Sequence, residues 1–188
     1  MDAKRIKLPL SEEAISQLRA GDAVLLTGAL LSGRDAAHQR LCQLLREGKP
    51  LPVDLAGETI FYVGPSPTPP GRVIGSAGPT TSGRMDSYTP ALLEVGLKGM
   101  IGKGQRSPEV IAAIRKHGAV YFAAMGGAGA LVARSIRKAE VICYPDLGTE
   151  AIHRLEVADF PAIVAIDATG ADLYQTGRAA YCQTTTVQ

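Results

Sequence analysis

Residues 99–125, GMIGKGQRSPEVIAAIRKHGAVYFAAM, decide the fold. The run GMIGKG (99–104) reads as a short strand bounded by glycine. Ser107 then offers a hydroxyl to the first turn of a helix, and Pro108 stands where a helix has no use for an N–H donor. His117-Gly118 close that helix, and AVYFAAM (119–125) reads as a second strand. A strand, a helix and a strand joined by short links form the repeating unit of an α/β domain.

The alternation continues in both directions. Upstream, Ser11 caps a short helix with Glu12 and Glu13 in its first turn, which Gly21 and Asp22 end. AVLLTG (23–28) reads as a buried strand. Asp35 is expected to cap a second helix, with Ala37, Leu41, Leu44 and Leu45 as its apolar stripe and Gly48 as its stop. TIFYVG (59–64) is a further strand. PSPTPPG (65–71) is a stiff, extended connector, and a helix follows through Leu92, Leu93 and Val95. Downstream, GGAGALVARSI (126–136) should begin a helix. VICYPD (141–146) and AIVAID (162–167) complete the strands, with a short helical piece near 149–154. The expectation is one α/β domain with a largely buried sheet over residues 1–175, followed by a loose polar tail over 176–188. The strand order is not set by this pattern.

Composition narrows the partners. The chain has 188 residues, enough for one domain with a substantial core, and is 46% hydrophobic and 20% charged. A net charge of +2 with no like-charge block, 5% aromatic residues and no tryptophan argue against a nucleic-acid surface. Cys42, Cys143 and Cys182 are odd in number and far apart. They make a poor disulfide framework and a poor zinc site, which points to a reducing, cytoplasmic setting. MDAKRIKLPL at the start lacks the apolar core of a signal peptide. The longest uncharged stretch, Gly118 to Ala133, is too short to span a bilayer.

Two glycine-rich signals for nucleotides fail. Gly96 to Gly102 before Lys103 is one residue too long for a phosphate-binding loop, and Gly104 stands where Ser or Thr is required. In GGAGALVA, Gly127 and Gly129 fit a dinucleotide fingerprint but Val132 occupies the third glycine position, so close helix–strand packing is the alternative. The stretch GSAGPTTSGRMDSYTP (75–90) offers more. Gly75 and Gly78 permit close approach of a ligand, Pro79 stiffens the turn, and a helix start would leave N–H groups free near Thr80 to Gly83. Arg84 adds a planar fork of donors that matches a carboxylate. These residues read either as an anion cradle or as a plain helix cap by Thr80 or Thr81 with Arg84 in solvent. TGALLSGRDAAHQR (27–40) repeats the arrangement with Arg34, and Lys103 lies between two glycines at a strand end. Three cations at such junctions suit a small molecule with two negative ends. His38 and His117 within or ending helices, and His153 within another, read as structural. No Cys–His or Ser–His pair can be argued from spacing.

GPTTSGRMDSYTP (78–90), TGALLSGRDAAHQR (27–40) and GMIGKGQRS (99–107) resemble the β subunit of class I, iron–sulfur fumarate hydratases. So do YFAAMGGAGAL (121–131), YPDLGTEAIHRLEV (144–157) and DFPAIVAID (159–167). The same region forms the C-terminal domain of single-chain enzymes of that class, and the related β subunit of L-tartrate dehydratase shares much of it. The likeness runs from about residue 5 to 175 in the family's order. It implies a swivelling, three-layer β/β/α domain and reversible hydration of fumarate to (S)-malate, with L-tartrate or a methylated fumarate as alternative substrates. It implies a partner α subunit, in an α2β2 or similar assembly, that carries a [4Fe–4S] cluster not ligated by this chain. By the same resemblance Arg34, Arg84 and Lys103 contact the dicarboxylate, and Thr80 is the catalytic base. The interval between Arg84 and Lys103 is one residue shorter than in single-chain members. Threonine needs a partner to take its proton, with a group from the α subunit or Asp86 as candidates. A reading of another class is a non-catalytic dicarboxylate-binding or assembly module.

Overall fold

Alternate residues along the central strands enter two different cores, and this alternation organises the chain. Phe61 and Val63 turn one way while Ile60 and Tyr62 turn the other; Val120 and Phe122 part from Ala119 and Tyr121 in the same manner. In a strand successive side chains point to opposite faces, so a sheet that is apolar on both has to be covered on both. Each fully buried leucine or phenylalanine adds about 2 kcal/mol of hydrophobic stabilisation.

The computed structural model describes residues 3–181. Its strands are β1 (Lys4–Lys7), β2 (Ala23–Ser32), β3 (Thr59–Phe61), β4 (Gly99–Gly102), β5 (Val120–Ala123), β6 (Ile136–Cys143) and β7 (Ile152–Ile166). Its helices are α1 (Glu12–Gln17), α2 (Asp35–Arg46), α3 (Thr89–Glu94), α4 (Pro108–His117), α5 (Gly129–Ser135) and α6 (Leu173–Tyr181). Two short 3-10 turns cover Ser82–Met85 and Pro145–Glu150. The fold is mixed α/β. Among the described residues one seven-stranded sheet runs in the order β1-β2-β3-β4-β5-β7-β6, and β2 also pairs with β7. Pairing therefore runs round a closed circuit, β2–β3–β4–β5–β7 and back to β2, with β1 and β6 attached outside it. The pairs from β1 through β5 are parallel and those of β7 are antiparallel.

One core gathers inward residues of β2, β3, β5 and β7 with Ile15 and Leu18 near α1 and Val132 of α5. The other lies between the sheet and α2, α3 and α4, whose Leu41, Leu92, Leu93, Val110 and Ile114 it contains. At the register shift in β2 between Leu26 and Gly28, the glycine has φ 131°, and any Cβ there would collide with the backbone of Leu8.

Several sequence expectations hold. Ser11 and Ser107 accept from the N–H groups of Ala14 and Val110, and Gly118 ends α4 in the left-handed region. Others need correction. Asp35 is the first residue of α2 rather than its cap; Arg34 holds the cap position without a side-chain bond. The helical piece expected near 149–154 is the turn Pro145–Glu150, and residues 152–154 already belong to β7. His153 thus lies on a strand, with Nδ1 3.1 Å from Ser32 Oγ and 2.9 Å from the carbonyl of Ala151. VICYPD is strand only through Cys143, and β6 begins earlier, at Ile136. Residues 176–181, expected in the loose tail, continue α6, while Cys182 and the rest of that tail lie outside the described residues. No helix among the described residues is long and apolar enough to cross a membrane.

Candidate functional site

Parallel strands β2 to β5 send their carboxyl ends to the same side of the sheet, and ligands of α/β folds bind at such ends. Arg34 follows β2, Gly64 follows β3, Lys103 follows β4 and Gly126 follows β5. The segment 80–82 inserts between two of these ends. Thr80 N–H donates to the carbonyl of Tyr62 at 2.7 Å, Lys103 N–H to that of Thr80 at 3.2 Å, and Ser82 N–H to that of Lys103 at 2.9 Å. Thr80 and Lys103 are therefore held by the sheet's own hydrogen-bonding pattern.

This arrangement leaves fewer free N–H donors than the expected anion cradle. The N–H groups of Thr80 and Ser82 are already bonded, and Ser82–Met85 is a single 3-10 turn rather than the start of a long helix. A plain cap does not describe it either. Thr81 occupies the cap position without a side-chain bond. Arg84 is not simply in solvent: its Nε donates to Asp35 Oδ1 at 2.9 Å and its Nη2 to Asp35 Oδ2. Those hydrogen bonds hold the Asp35 carboxyl below the ordinary carboxylate range, and the same contact raises the Arg84 guanidinium.

Asp35 brings the two predicted arginines together. Arg34 Nε lies 3.8 Å from Asp35 Oδ2, and Arg34 Nη2 lies 3.6 Å from Glu150 Oε1. Neither is a hydrogen bond by distance, and Arg34 Nε is buried without any hydrogen-bond partner. Glu150 is itself anchored, accepting from Ala36 N–H at 2.9 Å at the start of α2. The turn that carries it is tied to α2 a second time through Arg40 and Asp146. A Cβ at position 64 would collide with the Arg34 guanidinium, so glycine there gives the side chain its path.

Lys103 does not join these ion pairs among the described residues. A Cβ added at position 126 would meet the Cδ and Nζ of Lys103 at ordinary van der Waals distance. The glycines beside it have packing reasons of their own. Gly102 faces Ser82 Oγ and the Tyr62 ring, where a Cβ would collide, and Gly104 has φ 84°. Gly129 leaves room for Ser76 and Gly78, whose backbones meet where Ala77 N–H donates to the Gly129 carbonyl at 3.0 Å. The glycine therefore serves close packing of a helix start on a loop, not the helix–strand packing expected for this motif.

Beneath the site lies a polar layer that sequence reading missed. Arg106 is fully buried, with Nε donating to Asp86 Oδ1 at 2.7 Å and Nη2 to Thr89 Oγ1 at 2.7 Å. Its carbon Cζ stands 5.4 Å from the Tyr62 ring centre and 5.0 Å from that of Tyr121. Burial opposes its charge, but Tyr62 and Asp86 outweigh it and raise the pKa. Asp86 also accepts from Ser107 N–H at 2.7 Å. It is thus held by Arg106 and Ser107, and no hydrogen bond joins it to Thr80 among the described residues. Tyr121 donates to the carbonyl of Gly104 and meets Ser82 Oγ, both at 2.9 Å, while Tyr174 of α6 accepts from Gly104 N–H at 3.2 Å. The only local hint of this layer was Arg106 beside the capping Ser107.

With this geometry in view, comparison with known proteins is decisive. The family described as "Fumarase C-terminus" matches residues 1–177. The chain belongs to that family. Fumarase C-terminus relatives include the aerobic class I fumarate hydratase of Salmonella typhimurium, 41% identical over 96% of this chain and 32% of the relative. The anaerobic class I fumarate hydratase of Escherichia coli is 44% identical over 86% of this chain and 30% of the relative. This chain thus spans about a third of the length of these fumarate hydratases. A protein of Methanocaldococcus jannaschii that carries the name of an L(+)-tartrate dehydratase β subunit is 34% identical over 88% of each chain.

Proposed function

We propose that this chain is the β subunit of a hydro-lyase that reversibly hydrates fumarate to (S)-malate, working with an α subunit. The observation that carries this reading is the pair Arg34 and Arg84, drawn to one carboxylate at the carboxyl ends of parallel strands. Arg34 Nε there is a buried donor still lacking an acceptor. Relatives of three times the length bear the fumarate hydratase name, and one of matching length bears that of a tartrate dehydratase β subunit. In this reading the domain is of the swivelling three-layer β/β/α type, and its two cores on opposite sheet faces are compatible with that.

Arg34, Arg84 and Lys103 contact the dicarboxylate. When (S)-malate loses water, a proton leaves the carbon beside a carboxylate and negative charge builds on that carboxylate. Cations fixed at its oxygens stabilise this charge more than the ground state, the kind of binding that raises kcat. Holding both ends of the molecule also fixes which C–H bond faces the base. Thr80 is that base, and the bond from Lys103 N–H to its carbonyl ties the two backbones together. With Asp86 held by Arg106 and Ser107, the group that takes the proton from Thr80 comes, in this reading, from the α subunit.

A [4Fe–4S] cluster, implied by the class, does not fit this chain's described residues. No three His, Cys, Asp or Glu side chains lie together there, and Cys42 and Cys143 turn their thiols to the backbone carbonyls of Tyr88 and Pro52. In this reading the cluster belongs with the α subunit.

The test is to assay fumarate hydration by the chain alone and with its α subunit. Activity is expected only in the pair, and Thr80→Ala should lower kcat by roughly a hundredfold or more with the cluster spectrum unchanged. Hydration by the lone chain would overturn the half-site, and near-normal turnover of Thr80→Ala would remove that residue as the base. Rates on malate, tartrate and mesaconate in the same pair would distinguish the alternative substrates.

A further inference from the structure

Arg84 can offer a carboxylate either of two edges of its guanidinium, and the structure assigns them different tasks. The side edge is taken: Nε and Nη2 hold the two oxygens of Asp35. The end edge, Nη1 with the second hydrogen of Nη2, has no partner among the described residues, and the side chain is 46% exposed. A guanidinium carries five donors, so a bidentate bond on one edge leaves another bidentate edge available.

We propose that Asp35 is a positioning residue that grips the side edge of Arg84, keeps that grip when ligand binds, and so aims the end edge at a ligand carboxylate. This deepens the dicarboxylate reading above and rests on it. Asp35 is suited to the task because it is fixed by its own surroundings. It is the first residue of α2, it faces Arg34 at 3.8 Å, and Arg34 in turn faces the anchored Glu150. Glu150, Arg34, Asp35 and Arg84 thus form a row of alternating charge in which each member limits the motion of the next. Arg84 is a long side chain on a short turn. Immobilising it before ligand arrives removes an ordering cost from the binding step.

The opposite role for Asp35 would be a stand-in that the ligand displaces, and the two roles differ in sign. An anionic side chain beside an anion site opposes binding by charge alone, so a neutral isostere would tighten binding if charge or displacement were all that mattered. Positioning predicts weaker binding.

The experiment follows the Arg84 Nε–H signal by NMR in the full chain, with succinate as an unreactive C4 dicarboxylate probe. In the wild type this proton should exchange slowly with and without saturating succinate. In Asp35→Asn it should exchange faster and succinate should bind roughly tenfold more weakly, with Asp35→Glu recovering part of the affinity. Equal or tighter binding by Asp35→Asn would overturn the positioning role, as would release of the wild-type Nε–H on adding succinate. Should Asp35→Asn fail to fold, the wild-type exchange rates with and without succinate decide alone. If no Arg84 signal of the wild type responds to succinate, the dicarboxylate reading itself fails. If the wild type responds and Asp35→Asn binds equally well, only the role of Asp35 fails.

Discussion

Lys103 donates its main-chain N–H to the carbonyl of Thr80 at 3.2 Å, so the proposed base and one proposed cation share a hydrogen bond although they lie 23 positions apart. The bond belongs to a short parallel pairing of Thr81 with Lys103 that prolongs β4 beyond its end. Loops usually carry catalytic groups at some cost in precision. Here the loop is built into the sheet, and the layer beneath it fixes the remaining freedom.

Tyr121 is the first test of that layer. Its hydroxyl serves both Ser82 Oγ and the Gly104 carbonyl, so Tyr121→Phe leaves two groups short of a partner while keeping the ring. The variant should lose about 1–3 kcal/mol in urea unfolding. In the enzyme pair its KM for malate should rise. Unchanged stability would mean that water replaces the hydroxyl.

Arg106 should matter more. Replacing it with Met removes a buried cation and strands Asp86, whose other bond, to Ser107 N–H, keeps it in place. Breaking a buried pair from one side costs about 3–5 kcal/mol. Urea unfolding of Arg106→Met should show a loss of that size, whereas Arg106→Met with Asp86→Leu should recover part of it.

His38 gives the fold a signature in pH. Burial lowers its pKa from 6.5 to about 4, and its Nδ1 lies 2.8 Å from the Arg34 carbonyl. The native state therefore keeps the ring neutral at a pH where the unfolded chain already binds a proton. This residue's contribution is fully present above pH ~6.5 and is lost as pH falls from there toward about 4, by at most ~3 kcal/mol. Unfolding free energies measured at pH 7, 6 and 5 should decline more steeply for the wild type than for His38→Gln. Parallel declines would contradict the depressed pKa.

The helices were legible wherever their signals are local. Ser11, Ser107 and Gly118 act within one turn, and the structure places them as the sequence suggests. The strand β7 was half missed, its first residues 152–154 being read as part of a helical piece. Its extended form is imposed by pairing with β6, β2 and β5 along its length. The site divides in the same way. Arg34, Thr80, Arg84 and Lys103 stand out beside glycines at chain junctions. Glu150 is 116 positions from Arg34, and Arg106 acquires its meaning from Asp86, Thr89 and two tyrosine rings brought in by the fold.

The central claim is that cations from three separate segments of this chain hold one dicarboxylate. Its most direct test is a crystal structure of the chain paired with its α subunit and soaked with (S)-malate. The account predicts malate carboxylate oxygens within hydrogen-bonding distance of Arg34, Arg84 and Lys103, with the Thr80 hydroxyl beside the C–H that is lost. Malate bound with its carboxylates away from both arginines would contradict it.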